Sequence, residues 1–209
     1  MIQPAASRDE ITAFRGSVYQ LFSECLLRPP TPELLALVAD AEWIDSACAL
    51  LGPEARNLCG GLAPRQEAEY LAVEHSALFV VPGPQQTFPY ETNYREKRVV
   101  DGESRPGLRL GRAASQVVET YQEWAMRPDL ETDELPDHAG VELRFLSLLV
   151  EAEVLAREAR EGPSTTAILQ AEAGFLEQHI LQWFPQWLEC VHQRARRPFY
   201  RHGAAVLRG

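Results

Sequence analysis

The stretch LPDHAGVELRFLSLLVEAEVLAREA, residues 135–159, decides the fold. It opens with Pro136 and Asp137, both helix-start residues, and after Gly140 it meets no Gly or Pro before Gly162. At about 100° per residue, Arg144, Ser147, Glu151 and Glu158 fall into one narrow polar stripe. Val141, Leu143, Phe145, Leu146, Leu148, Leu149, Val150, Ala152 and Leu155 occupy the other faces. A helix apolar on most of its circumference needs other helices around it. The expected fold class is therefore all-α, a helical bundle with this segment inside.

Glu142 breaks the pattern. It points away from the polar stripe, between the directions of Leu146 and Leu149, with His138 one turn earlier on the same side. A carboxylate so placed must be hydrogen-bonded, paired, or open to a groove. Two readings stand. In one, Asp137 caps the helix while His138 and Glu142 satisfy each other or nearby backbone. In the other, His138 and Glu142 face a ligand.

Composition supports the helical reading. Leu and Ala number 52 of 209 residues against 19 for Val plus Ile, a bias toward helix over sheet. Net charge is −10, which argues against nucleic acid as the main partner. Cys25, Cys48, Cys59 and Cys190 form no C-x-x-C pair, so neither a zinc ribbon nor a redox motif is signalled, and buried free thiols are the simplest reading. No basic segment followed by an apolar run marks the N-terminus, and no run of about 18 apolar residues is present. A soluble, cytoplasmic protein is expected.

Before the central segment, Ser7 and Glu10 form a capping-box pattern, and Ile11, Phe14, Val18, Leu21, Phe22 and Cys25 recur at helical spacing until Arg28-Pro29-Pro30 ends the helix. Short helices follow over 32–39 and 43–51, then a stronger one over 64–80 with His75 on its apolar face. Residues 82–110 form the longest irregular stretch. A loop of this length is functional or disordered, and Phe88, Tyr90 and Tyr94 argue against simple disorder. A helix over 111–126 leads into the polar linker RPDLETDELP, residues 127–136. Beyond Gly162-Pro163, Ser164 can cap a helix through His179, and Pro185 can start the last long helix. Arg194, Arg196, Arg197 and Arg201 make a basic patch suited to solvating a helix end. The expected organisation is one domain spanning 1–209: an N-terminal bundle over about 7–126, the linker 127–136 and C-terminal helices 137–209.

Several pieces together resemble a known family. Pro136-Asp137-His138 with Glu142-Leu143 and Phe145-Leu146 is similar to the signature of the TorD/DmsD/NarJ family. So are Glu69-Tyr70, Leu78-Phe79, the run Pro89-Tyr90-Glu91-Thr92-Asn93-Tyr94, the set Phe175, His179-Ile180 and Trp183, and Phe199-Tyr200. Thr92 stands where that family more often has serine. The resemblance implies a TorD-like helical bundle, open to domain swapping, that acts as a cytoplasmic maturation chaperone. Its partner would be the catalytic subunit of a molybdenum-cofactor oxidoreductase. The chaperone binds the client's N-terminal, often twin-arginine, signal and holds the apo form until cofactor is inserted. The implied state is a monomer with a minor domain-swapped dimer.

Enzyme signatures are missing: no P-loop, dinucleotide glycine fingerprint, G-x-S-x-G or H-E-x-x-H occurs. A di-iron carboxylate bundle needs two E-x-x-H pairs, and the chain offers one, Glu189 with His192. No catalytic residue, metal or cofactor is therefore assigned. A helical metal- or nucleotide-dependent enzyme and a generic helical adaptor are the alternatives. A twin-arginine leader requires carboxylates beside an apolar groove. The expected peptide-binding residues are Tyr90, Glu91 and Tyr94 from the loop, Glu131, Asp133 and Glu134 from the linker, and Asp137, His138 and Glu142 at the start of the central helix.

Overall fold

The computed structural model describes residues 7–58, 63–100, 103–105, 107, 111–128, 132–158 and 162–208. Among them the helices are α1 Arg8–Leu27, α2 Pro32–Val38, α3 Ala41–Leu51, α4 Pro64–His75, α5 Glu91–Arg95, α6 Arg112–Glu123, α7 Ala139–Glu158, α8 Thr165–Phe175, α9 Leu181–Arg194 and α10 Pro198–Arg208. The only sheet among the described residues is an antiparallel hairpin, β1 Arg98–Val100 against β2 Glu103–Arg105. The fold class is all-α. Side chains set the helix starts: Ser7 and Glu10 close their capping box on α1, Thr31 caps α2, and Ser164 caps α8. Asp40 caps α3, which starts two residues before the expected Trp43.

The expected central segment is α7. Val141, Leu143, Phe145, Leu146, Leu149 and Val150 are all buried, and their cluster includes α1, α4, α6, α8, α9 and α10 residues. α1 runs against α7 and packs tightly on it at Gly140. A Cβ there would lie 2.6 Å from Leu27 Cγ and 3.0 Å from the Ser23 carbonyl oxygen, and Ser23 Oγ donates to the Gly140 carbonyl at 2.7 Å. Part of the polar stripe also faces α1: Arg144 donates to Gln20 Oε1 at 2.5 Å, and Ser147 is buried.

The C-terminal half of α7 differs from expectation at Leu155. Leu155 is 68% exposed, whereas Glu153 is buried. The inward face continues from Leu146 and Leu149 at helical spacing to residue 153, which turns Leu155 outward. Glu153 is tolerated there because Arg15 of α1 and Arg157 both pair with it. Arg15 also reaches Glu172 of α8, whose carboxylate accepts from Tyr19, so the network ties three helices together.

Two helices change pitch beside the loop. α4 and α8 each continue into one π-helical turn, Ser76–Val80 and Leu176–Ile180. Pro185 does not start a helix as expected but sits inside α9, where burial of Trp183, Phe184, Trp187 and Leu188 holds the helix through the missing amide donor. The separate α10 was not anticipated. Its inward face is Phe199, Tyr200, Gly203, Ala204 and Val206, with Gly203 against the Phe22 ring. The expected irregular stretch 82–110 contains the short α5 and the hairpin.

Candidate functional site

The loop and the start of α7 are joined by backbone. Glu91 N–H donates to the Asp137 carbonyl at 3.0 Å, Ala139 N–H donates to the Pro89 carbonyl at 2.8 Å, and Tyr90 and His138 face each other as an antiparallel bridge. The Tyr90 ring stands edge-on to His138 at 5.1 Å. Asp137 does not cap α7. Its Oδ2 accepts from Thr92 N–H at 3.0 Å and Thr92 Oγ1 at 2.6 Å, which anchors the first turn of α5. Thr92 retains the hydroxyl that serine would supply.

His138 makes the cap instead. Its carbonyl accepts from Val141 and Glu142 N–H, and its Nδ1 accepts from Gly140 N–H at 3.0 Å. An accepting Nδ1 requires a neutral ring with the proton on Nε2. Burial, and His75 nearby, hold its pKa down to about 3. His75 itself bonds through Nε2 to the Leu26 carbonyl at 3.1 Å, as a satisfied core residue.

Glu142 and His138 do not satisfy each other. Glu142 is fully buried, and its Oε2 accepts from Trp183 Nε1 of α9 at 3.1 Å. Burial first, and the neighbouring Glu91 second, raise its pKa well above the ordinary glutamate value. Glu142 Oε1, which Trp183 does not reach, is buried without a hydrogen-bond partner, as suits a carboxyl group whose ionised form is disfavoured by burial and by Glu91. Glu91 is also fully buried and is held by Arg95 and by His179 Nδ1, the latter at 2.9 Å. Arg95 donates further to the Gln178 carbonyl at 3.0 Å. The π-helical turn after α8 thus delivers His179 to a loop glutamate, and the turn after α4 places Phe79 beside the same loop.

The nine expected binding residues divide into layers. A surface cleft of about 370 Å³ is lined by Tyr90, Glu134 and Asp137 together with Phe79, Val80 and Phe88. Tyr90 OH donates to Glu134 Oε2 at 2.6 Å, Asp133 is exposed beside it, and one buried Asp137 oxygen lacks a partner. Burial raises the Asp137 pKa. Tyr94 is half-buried and stacks on Trp183 at 5.5 Å. Glu91, His138 and Glu142 do not line the cleft, and none is more than 2% exposed. Glu131 lies outside the described residues.

Arg95, Thr92, His179 and Trp183 complete this network and were not among the expected site residues. Arg95, at i+4 from Glu91 on α5, carried a local signal; His179 and Trp183 stood out only as members of the family pattern, because 88 and 41 residues separate them from Glu91 and Glu142. Among the described residues, no group of three His, Cys, Asp or Glu side chains is arranged to hold a metal ion. The single E-x-x-H pair is engaged elsewhere, Glu189 with Arg208 and His192 with the Arg201 carbonyl. Cys25 is buried and free, Cys48 and Cys190 are half-buried and free, and Cys59 lies outside the described residues. No described helix is long and apolar enough to cross a membrane.

The chain is similar to the chaperone protein TorD of Salmonella bongori, 25% identical over 206 residues that cover 94% of this chain and 86% of that protein. It is 29% identical to TorD of Photobacterium profundum over 73% of this chain and 66% of that protein. It is 28% identical to TorD of Vibrio cholerae over 61% of this chain and 53% of that protein, so there the match spans about half the relative's length. These relatives are named as chaperones, in agreement with the expectation of a non-catalytic protein. The nitrate reductase delta subunit family matches residues 44–189, well over half of the chain, and its match runs from α3 to α9 across the loop, the cleft and the buried carboxyl network. The chain therefore belongs to the nitrate reductase delta subunit family, the group of TorD/NarJ chaperones.

Proposed function

We propose that this chain is a cytoplasmic maturation chaperone for the catalytic subunit of a molybdenum-cofactor oxidoreductase, and that it holds the subunit's N-terminal leader in the cleft beside Tyr90. The observation that carries this reading is the pairing of apolar and acidic lining in one groove, Phe79, Val80 and Phe88 together with Glu134 and Asp137. A twin-arginine leader presents paired guanidinium groups followed by an apolar segment, and the groove complements both. The positive end of α7 would repel arginine, but it is buried beneath Asp137 and the neutral His138. The arginines are therefore assigned to Glu134 and the exposed Asp133, with Glu131 next to them in sequence. Well-placed guanidinium–carboxylate pairs contribute about 1.5–3 kcal/mol and exposed ones about 0–1 kcal/mol. Apolar burial against Val80 and Phe88 must therefore supply much of the affinity.

Glu91, His138, Glu142 and Tyr94 act in this reading as the frame that sets the cleft's shape. The test is titration of a twin-arginine leader peptide against wild type, Tyr90→Ala, Glu134→Gln and Glu142→Gln, each checked for thermal stability. Tyr90→Ala and Glu134→Gln should each weaken binding by about tenfold, since one lost contact of this kind is worth about 1.4 kcal/mol. Folded Glu142→Gln should bind like wild type. Undiminished binding by both cleft variants would place the leader elsewhere.

A further inference from the structure

On the other side of the π-helical turn Ser76–Val80 lies a second surface of opposite electrical character. Tyr70, Val73, Ala77, Val81, Pro82 and Pro84 form an apolar strip along α4 and its continuation, and all but Tyr70 line an open groove of about 550 Å³. Val73 is 72% exposed, Val81 51% and Tyr70 49%. A run of solvent-facing apolar side chains at helical spacing is unusual on a surface that needs only to be wetted.

Arginines border this strip. The Arg197 guanidinium lies over the Tyr70 ring at 4.2 Å. Gln85, at the other end of the groove, donates to the Arg194 carbonyl at 3.0 Å, and Arg194 donates to the Gln86 carbonyl. Between them, the Arg196 and Arg197 N–H groups are pinned to the buried Glu74 carboxylate, so the segment 194–197 runs alongside α4. Glu67 and Glu74 are the acids on this edge, both are buried, and Glu67 is paired with Arg197; Arg196 is exposed. Exposed Glu69 stands on the opposite edge of the strip. In a chain of net charge −10, this is a local cationic rim on an apolar track.

We propose that this strip is a docking surface for an amphipathic helix of a partner protein whose apolar face is flanked on one edge by acidic residues. The rim is complementary to such a helix and repels a cationic leader, so this surface is separate from the Tyr90 cleft even though Val80 and Val81 make the apolar walls continuous. The partner's helix lies in the groove, with its carboxylates toward Arg194 and Arg196. The inference uses the leader reading only for the division of labour between the two surfaces.

The probe is an 18-residue synthetic amphipathic helix with leucines on one face and glutamates along one edge, compared with the same peptide carrying lysines. Wild type should prefer the glutamate peptide by at least about tenfold, and added salt should reduce the preference. Val73→Asp and Arg196→Glu each change an exposed side chain and should weaken glutamate-peptide binding by about tenfold, while the twin-arginine leader peptide binds both variants as it binds wild type. Arg196→Glu should also narrow the preference over the lysine peptide. Equal binding of the two peptides would overturn the proposal. So would phosphatidylglycerol vesicle binding, or a dimer in sedimentation, that Val73→Asp abolishes while peptide binding is unaffected. If Val73→Asp instead removes leader binding alone, the strip belongs to the leader site, and the docking proposal fails while the leader reading survives.

Discussion

Glu142 of α7 and Glu91 of α5 are both fully buried and meet carboxyl to carboxyl, with Trp183 bonded to the first and Arg95 and His179 to the second. Two adjacent interior carboxyl groups avoid repulsion when one keeps its proton, and Glu142 is the one pushed upward. Helix α7, the loop helix α5, the π-helical turn after α8, and α9 thus converge on this carboxyl pair and on the proton held at Glu142.

That proton links stability to pH. The folded pKa of Glu142 is raised, so its stabilising contribution is complete below the ordinary value of 4.5 and is lost as pH rises through the folded value. Asp137, also raised, acts in the same direction above its ordinary 3.8. Each proton contributes a slope of up to about 1.4 kcal/mol per pH unit. In Glu142→Gln the side-chain carbonyl can still accept from Trp183, and there is no proton to lose. Urea midpoints measured from about pH 6 to about pH 9 should fall less for this variant than for wild type. An unchanged slope would mean that Glu142 ionises freely in the folded protein.

His138 works on the acid side with the opposite sign. Its folded pKa is depressed to about 3, so its contribution is present above the ordinary 6.5 and is lost as pH falls toward 3. Asparagine can supply the same cap to Gly140 N–H without titrating. His138→Asn should therefore flatten the acid limb of the stability profile, leaving the smaller part due to His75, whose pKa burial also lowers. Thermal unfolding from about pH 4 to about pH 7 reads this directly.

Asp137→Ala should destabilise by about 1–3 kcal/mol, because Thr92 N–H and Oγ1 lose their acceptor in a buried place. Thr92→Ser keeps both donors and should cost much less. Equal losses for the two variants, by chemical denaturation, would show that the Thr92 methyl group rather than the hydrogen bonds holds the loop.

Leu149→Ala should cost about 2–5 kcal/mol, since Leu149 is completely buried in the main core. Gly140→Ala should also destabilise, because the new Cβ meets Leu27 and the Ser23 carbonyl and forces α1 away from α7. A loss below about 0.5 kcal/mol in either variant would contradict close packing of α7.

Sedimentation at micromolar concentration should show a monomer with a minor dimer. Exchange of the C-terminal helices through residues 127–136 replaces each internal contact by an identical one between copies, so it needs little new surface. A large obligate oligomer would contradict this.

Periodicity and capping chemistry alone determined the all-α class, the burial of α7 and most helix starts, because these depend on residues within a few positions of one another. The same local logic marked Glu142 as anomalous and the loop around Tyr90 as more than a connector. It could not supply Glu142's partner. Trp183 is 41 residues away, and His179 is 88 residues from Glu91. One of its two readings gave the α7 cap to Asp137, the favoured residue type, whereas the bridge between Tyr90 and His138 turns Asp137 toward Thr92 and leaves the cap to a histidine. Pro185 reads locally as a helix boundary, and the buried tryptophans on either side of it carry α9 through. Which acids line the cleft and which do not was likewise decided by tertiary structure. Exposure is set by the elements packed against a residue, and those arrive from positions that local periodicity does not connect.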